Sequence, residues 1–300
     1  MVRLKADTTY SPDMLKQLIA ILIAATIVGT GRVHTQSPLG AEAISLRTQA
    51  ALLALDRYLE TWNSRDPRLW ATSLQFPHVR PGAGPFRLTR NTDEYVAGID
   101  FEQTASTGWD HTEWISREVL QVGVDKVHAA ATWQRFTKDG RPLATSAITY
   151  VITHQQDRWG VQARFAAGAG GLAADQSARN AAAARTALDA FVQAWNAHDI
   201  STLARAVHYP QVRIADRQVE MWNTADEFIA GTEAGRQRTW YQLRVDQLRA
   251  AQVTANGVNL TISFSRLTRD GSVMSKDEGL FLVILRDGVW KVQARSLFGT

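Results

Sequence analysis

Three hundred residues, 45% hydrophobic and 21% charged, give an ordinary globular balance with room for two domains, which excludes disordered and collagen-like chains. The formal charge is +4, yet basic residues are interleaved with acids, as in Arg57, Glu60, Arg65, Asp66 and Arg68, and no Lys/Arg cluster or reading module appears, so no nucleic-acid partner is expected. With no cysteine there is no disulfide framework, thiolate metal site or cysteine nucleophile.

The chain begins with a segment unlike the rest. Leu18 to Val28 is an almost unbroken apolar run, preceded by Lys16 and followed by Gly29-Thr30-Gly31. A spanning helix needs about 20 apolar residues, so the run fits a signal-peptide core better. Residues 1–31 are therefore expected to be a signal peptide or, if uncleaved, a single membrane anchor, which is the one route to a membrane. Met14-Leu15-Lys16 would be a natural start for such a signal, making residues 1–13 a mis-extended start. The expected location is periplasmic or secreted, or membrane-anchored if the segment stays. Residues 32–42 read as a tether.

Beyond the tether, one pattern is written twice. Leu55-Asp56-Arg57-Tyr58-Leu59-Glu60-Thr61-Trp62-Asn63 returns as Leu188-Asp189-Ala190-Phe191-Val192-Gln193-Ala194-Trp195-Asn196. Phe76-Pro77-His78-Val79-Arg80 returns as Tyr209-Pro210-Gln211-Val212-Arg213, Asp93-Glu94-Tyr95 as Asp226-Glu227-Phe228, and Trp159-Gly160-Val161-Gln162-Ala163-Arg164 as Trp290-Lys291-Val292-Gln293-Ala294-Arg295. Matches in constant order mean duplication, and the period is too long for a solenoid, so each copy should be a domain. The expected domains are residues 43–166 and 180–300, joined by an Ala/Gly-rich linker at 167–179.

Within each copy the hydrophobic period changes from helix to strand. Leu55, Tyr58, Leu59 and Trp62 stand at i, i+3, i+4 and i+7 on one helical face, with Asp66 and Asp199 placed to cap a short second helix. A third helix is expected from Thr92 and Thr224. Only strands come after it, near 111–122, 126–137, 144–155 and 158–165, then 241–253, 257–269, 275–286 and 289–298, with Asp-Gly turns at Asp139-Gly140, Asp270-Gly271 and Asp287-Gly288. Helices first and strands second predict an α+β fold, each domain packing three helices on a curved antiparallel sheet.

This order, with Trp62-Asn63 closing the first helix, resembles the nuclear transport factor 2-like superfamily of SnoaL-like polyketide cyclases, ketosteroid isomerases and scytalone dehydratase. Phe76-Pro77-His78-Val79-Arg80, Gly108-Trp109-Asp110-His111-Thr112-Glu113-Trp114 and Trp159-Gly160-Val161-Gln162-Ala163-Arg164 are similar to short bacterial members with no established activity. The resemblance implies two cone-shaped domains, and a pseudo-dimer built within one chain through the sheet faces turned from the helices. It implies little about function, because the fold hosts isomerases, dehydratases, cyclases and non-enzymatic binders. Tyr58 matches the oxyanion-donor tyrosine of ketosteroid isomerases, but that family's acids would fall near Arg80 or Pro81 and near Thr149, where none stands.

The first copy carries titratable groups that the second lacks: Tyr58, His78, His111 and His128 correspond to Phe191, Gln211, Gln242 and Asn259. Tyr58, His78, His111 and Arg135 are the candidates for acid-base or oxyanion chemistry. Trp62, Trp114, Trp133, Arg80 and Arg164 are the candidates for holding a small apolar organic ligand. An arginine ending an apolar strand face, as Arg135 ends Val127, Ala129, Ala131 and Trp133, can hold an anionic or carbonyl-bearing ligand, or pair with an Asp or Glu; Asp56 and Asp189 are possible partners. Strict alternation puts Trp159, Val161 and Ala163 on one side of the last strand and Gln162 and Arg164 on the other. No metal or cofactor motif is present, so a cofactor-free binder with a pocket in the first domain, of isomerase, dehydratase or cyclase type if catalytic, stands against a non-catalytic interaction module using its sheet faces.

Overall fold

The computed structural model describes residues 39–168, 171–215, 217–234 and 240–298. The expected leader and the tether up to residue 38 lie outside them. The first domain runs α1 (Ala41–Asn63), α2 (Pro67–Ala71), β1 (Leu74–Arg80), β2 (Arg87–Thr89), α3 (Thr92–Ala97), α4 (Phe101–Ala105), β3 (His111–Val122), β4 (Lys126–Phe136), β5 (Pro142–Gln155) and β6 (Arg158–Gly168). The second runs α5 (Ala174–Asn196), α6 (Ile200–Arg205), β7 (Val207–Ala215), β8 (Gln218–Trp222), α7 (Ala225–Ala234), β9 (Gln242–Val253), β10 (Gly257–Leu267), β11 (Val273–Arg286) and β12 (Val289–Leu297). The strand orders, β2-β1-β6-β5-β4-β3 and β8-β7-β12-β11-β10-β9, are the same topology twice, and the fold is α+β.

Three details depart from the sequence reading. Each sheet is mixed, because β1 pairs parallel with β6 and β7 with β12, while the four long strands are antiparallel. A parallel pair needs a long crossover, and the intervening helices and strands supply it. The first domain has four helices, since Asp100 accepts from the Gln103 N–H and starts a separate turn. The linker is shorter than 167–179: Ala167 is buried in a core between the sheets, and the Ala-rich stretch from Ala174 already belongs to α5, with an Asp175–Arg179 ion pair along one face. Ala41 and Glu42 likewise belong to α1 rather than to a tether.

The helix ends are built as their residues dictate. Arg65 and His198 take positive φ, and Asp66 and Asp199 then cap α2 and α6, Asp66 accepting from the Arg68 and Leu69 N–H groups and Asp199 from that of Thr202. Asn63 holds the end of α1 to β3 through two 2.9 Å bonds with the backbone of Thr112, and Asn196 does the same with Leu243. The repeated Trp-Asn pair is thus explained by anchoring of helix to sheet.

One irregularity redirects the last strand of each domain. Ile152 faces Val161 but Val151 faces Ala163, so Gln162 is an extra residue, a β-bulge; Gln293 is its counterpart between Val292 and Ala294. Beyond the bulge the alternation is reversed. Val161 lies in the first domain's core, whereas Ala163 and Phe165 lie between the domains, and Arg164 turns to the helix side with Val161.

The sheet faces turned from the helices pack on each other. Val79, Val151, Ala163 and Phe165 of the first domain meet Val212, Ile214, Leu280, Leu282, Ile284 and Ala294 of the second. The polar contacts are reciprocal. Gln121 Nε2 donates to Ile262 O at 3.1 Å and Gln252 Nε2 to Ala131 O at 3.0 Å; His128 Nδ1 donates to Gln121 Oε1 at 2.8 Å and Asn259 Nδ2 to Gln252 Oε1 at 3.2 Å. Both bulge glutamines also cross over, Gln162 to Arg217 O and Gln293 to the Gly82 N–H. Phe165, fully buried here, is the test of this interface. Phe165→Ala is expected to cost about 3–5 kcal/mol in urea unfolding, and a loss under about 1 kcal/mol would contradict the packing described.

Candidate functional site

The helix side of the first sheet encloses a cavity of about 200 Å³. α1 contributes Tyr58 and Trp62, β1 Arg80, β3 Trp114, β4 Trp133 and Arg135, and β6 Arg164. These are all five residues expected to hold a ligand and two of the four expected to do chemistry. The other lining residues include Trp70, Arg87, Asp100, Gln103, Thr104 and Thr112.

The remaining two candidates are elsewhere. His78 is buried on β1, its Nδ1 donating to Val161 O at 3.1 Å and its ring edge-on to Tyr95, and it does not line the cavity. Burial, then the charges of Arg164 and Arg80, push its pKa down to about 3, so it is neutral with the proton on Nδ1. His111 lies half-buried at the start of β3, with Nδ1 2.9 Å from Asp110 Oδ2, Nε2 3.6 Å from Glu113 and its ring stacked on Phe136. It is also outside the cavity lining. His128 faces the second domain, where Nε2 accepts from Ser296 Oγ at 2.8 Å.

The walls are aromatic and the polar groups are donors. Trp62 packs on Trp70 at 4.5 Å between ring centroids and Trp114 stands edge-on to Tyr150 at 5.8 Å. Trp62 Nε1 is satisfied by Thr112 Oγ1 at 2.9 Å, but Trp70 Nε1, Trp114 Nε1, Arg135 Nε and Arg164 Nε have no partner. Among the described residues four guanidinium groups line the cavity against a single carboxylate, Asp100, whose Oδ1 already caps α4. Among the described residues no carboxylate comes within 4.0 Å of Arg80, Arg87, Arg135 or Arg164. Asp56, a possible partner, pairs with Arg117 instead. Arg135 lies over Trp62 and Trp133 at 5.3 and 5.1 Å, and Arg164 over Tyr58 at 5.7 Å. The Arg164 charge, then burial, lower the pKa of Arg80 to about 10; burial, then Arg164, lower that of Arg135. Arg80 stays cationic at neutral pH, beside like charge.

The second domain treats the same arginines differently. Arg213, the counterpart of Arg80, bonds Glu220 at 2.7 Å, and Arg266, the counterpart of Arg135, bonds Asp277 at 2.8 Å. Its own hollow, about 340 Å³, is lined by Trp195, His198, Trp240, Tyr241 and Arg269 among others, and includes none of Arg213, Arg266 and Arg295. Sequence reasoning missed Arg87 and Trp70. The comparison of copies carried a signal for Arg87, which stands opposite Arg80 as Glu220 stands opposite Arg213.

Residues 50–167 match a family described as NTF2-like protein (DUF6841). That segment is an NTF2-like domain, and with the second six-stranded unit the chain consists of two such domains in tandem. Among solved structures, an NTF-2 like protein of unknown function from Shewanella oneidensis is similar at 13% identity and a TM-score of 0.33, over 40% of this chain and 98% of its own. A ketosteroid isomerase-like protein from Erwinia carotovora is similar at 17% identity and 0.31, over 39% and 93%. A protein of unknown function with a cystatin-like fold from Nostoc punctiforme is similar at 10% identity and 0.36, over 40% and 91%. No curated protein matches.

The low pKa of His78 makes stability depend on pH. The unfolded chain takes up a proton as pH falls below the ordinary 6.5, and the folded chain does so only near 3, so stability present above 6.5 is lost across that window at up to about 1.4 kcal/mol per pH unit. His128 acts in the same direction, its pKa lowered by burial and then by Lys126. His78→Gln, which copies Gln211, should reduce the loss between pH 7 and pH 5 by about 1–2 kcal/mol in urea titrations, by the same linkage. An unchanged loss would show that His78 takes up its proton while folded.

Proposed function

We propose that this protein is an exported, cofactor-free binder of a small organic molecule, taken up in the cavity of the first domain, with the second domain completing an intramolecular pseudo-dimer. The observation that carries the reading is the convergence of Tyr58, Trp62, Arg80, Trp114, Trp133, Arg135 and Arg164, from one helix and four strands, on a single hollow. Its volume of about 200 Å³ is below the ~300–1,000 Å³ of drug-sized sites. The ligand is therefore about the size of one substituted ring.

Binding is favoured over isomerase, dehydratase or cyclase chemistry by the lining itself. Moving a proton at neutral pH requires a base within reach of the ligand. Asp100 is the one carboxylate on the lining, it is exposed, and it is occupied as a helix cap. The rival interaction module needs open sheet faces, and those turned from the helices are buried against each other. Export rests on the apolar run from Leu18 to Val28; no helix among the described residues is long and apolar enough to cross a membrane. Sequencing the N-terminus of the protein from culture medium and periplasm tests that part, and recovery of the intact chain from cytoplasm alone would remove it.

The ring-sized probes benzoate and benzamide test the pocket. At least one should quench tryptophan emission saturably, and Trp133→Ala should weaken that binding about tenfold or more, the ~1.4 kcal/mol or greater expected for losing an aromatic wall. Emission indifferent to both probes and to doubly charged ring acids alike would end the pocket reading. Arg135→Ala should move stability by no more than about 1 kcal/mol, because its guanidinium has no ion-pair partner to strand.

A further inference from the structure

The second domain shows how these arginines are satisfied from within the chain. β7 and β8 set Arg213 directly opposite Glu220 in register. β10 and β11 set Phe264 opposite Asp277, and Asp277 reaches the neighbouring Arg266 while also accepting from Ser275. Arg295 is met by the amide of Gln211, whose oxygen, oriented to suit both neighbours, accepts from its Nη1 at 2.8 Å. Each second-domain guanidinium therefore has a built-in acceptor, two of them carboxylates.

The first domain has neither acid at the same places in the register. Opposite Arg80 stands Arg87, and opposite Trp133, the counterpart of Phe264, stands Ser146. A positive charge stands at the place of Glu220 and a small hydroxyl at that of Asp277. The guanidinium groups themselves remain, and Arg164 is 8% exposed with its Nε–H unpaired. A buried guanidinium keeps its charge, and leaving its N–H groups without acceptors costs stability. The domain whose arginines line a cavity thus has no carboxylate at either position.

We infer that the ligand of the first domain is a compact dianionic organic acid on a planar ring, one acidic group taking the place that Glu220 holds in the second domain, between Arg80 and Arg87, and the other the place of Asp277, against Arg135. This rests on the pocket reading above. The lining fits no neutral or cationic molecule as well, since its orphaned groups are N–H donors that need acceptors: Trp70 Nε1, Trp114 Nε1, Arg135 Nε and Arg164 Nε. Planar guanidinium forks suit carboxylates, and indole walls suit a flat ring.

The three positional isomers of benzenedicarboxylate, with benzoate and benzamide as the singly charged and neutral references, test this by calorimetry on the whole protein. The best isomer should bind at least tenfold more tightly than benzoate, and which isomer wins reads the separation of the two acid positions. Arg87→Glu and Ser146→Asp place the second domain's own acids at matching register positions, so each should raise the ligand-free Tm and reduce dianion binding at least tenfold. The two together should abolish it. Benzoate or benzamide binding as tightly as every dianion, or dianion affinity unchanged in both variants, would overturn the dianion assignment and leave the pocket reading standing. No saturable heat from any of the five probes would overturn both.

Discussion

A guanidinium taken out of water needs an acceptor, and this requirement organises both domains. Three arginines recur at matching places in the two sheets, Arg80, Arg135 and Arg164 on β1, β4 and β6 and Arg213, Arg266 and Arg295 on β7, β10 and β12. In the second domain the chain supplies the acceptors, although burial there still weighs on the charges: it raises the pKa of Asp277 above the ordinary carboxylate value, with Ser275 and Arg266 pulling it back, and lowers that of Arg266. An ion pair under that strain is sustained by geometry, in this case by strand register that fixes Asp277 two residues from Ser275 and within reach of Arg266. In the first domain the register is the same and the acids are missing, so the arginines face a hollow and one another.

The bulges at Gln162 and Gln293 make this arrangement possible. A strand of strict alternation would send Arg164 to the same side as Gln162, into the interface with the second domain, where Val212 and Ile214 pack. One extra residue lets the glutamine side chain cross the interface and returns the arginine to the helix side. The two faces of the sheet are then divided. One is an apolar core crossed by reciprocal amide bonds and by Lys126, whose Nζ donates to Leu297 O at 2.9 Å, and the other holds the cavity arginines.

The duplication, the α+β order, the helix caps and the Asp-Gly turns are all legible in the residues, because each rests on local chemistry repeated in two copies. Trp62 on α1 and Trp133 on the strand from Val127 to Arg135 reach the cavity because period-3.6 and period-two faces survive folding where elements are regular, whereas Arg164 reaches it only through the bulge. The last strand defeats the pattern because a bulge leaves no mark in hydrophobic alternation: Val161, Gln162, Ala163 and Arg164 alternate in sequence but not in space. The histidines mislead for another reason. Histidine titrates in water near neutral pH, but only position in the fold decides whether a ring meets a cavity, and the rings of His78 and His111 are held by neighbours outside it. The absence of counterparts to Glu220 and Asp277 in the first copy is visible in sequence, yet it acquires meaning only when register shows which arginine each acid serves.

The tyrosines sharpen the contrast between copies. Tyr58, Tyr95 and Tyr150 surround Arg164, and their counterparts Phe191, Phe228 and Phe281 pack in the second core, two of them within 6.0 Å of the Arg295 guanidinium. Phenylalanine at all three places supports the same fold, so the ring is what packing requires and the hydroxyl is additional. Burial pushes the phenols of Tyr95 and Tyr150 far up; the Tyr95 hydroxyl is buried without a partner, while that of Tyr150 lies against the Arg164 guanidinium. They stay protonated at any working pH, as neutral polar groups that screen Arg164 without cancelling its charge. A carboxylate in their place would have quenched the guanidinium, as Asp277 does for Arg266. The first domain thus keeps its central cation polarised and available, while the second spends its cations on contacts of its own.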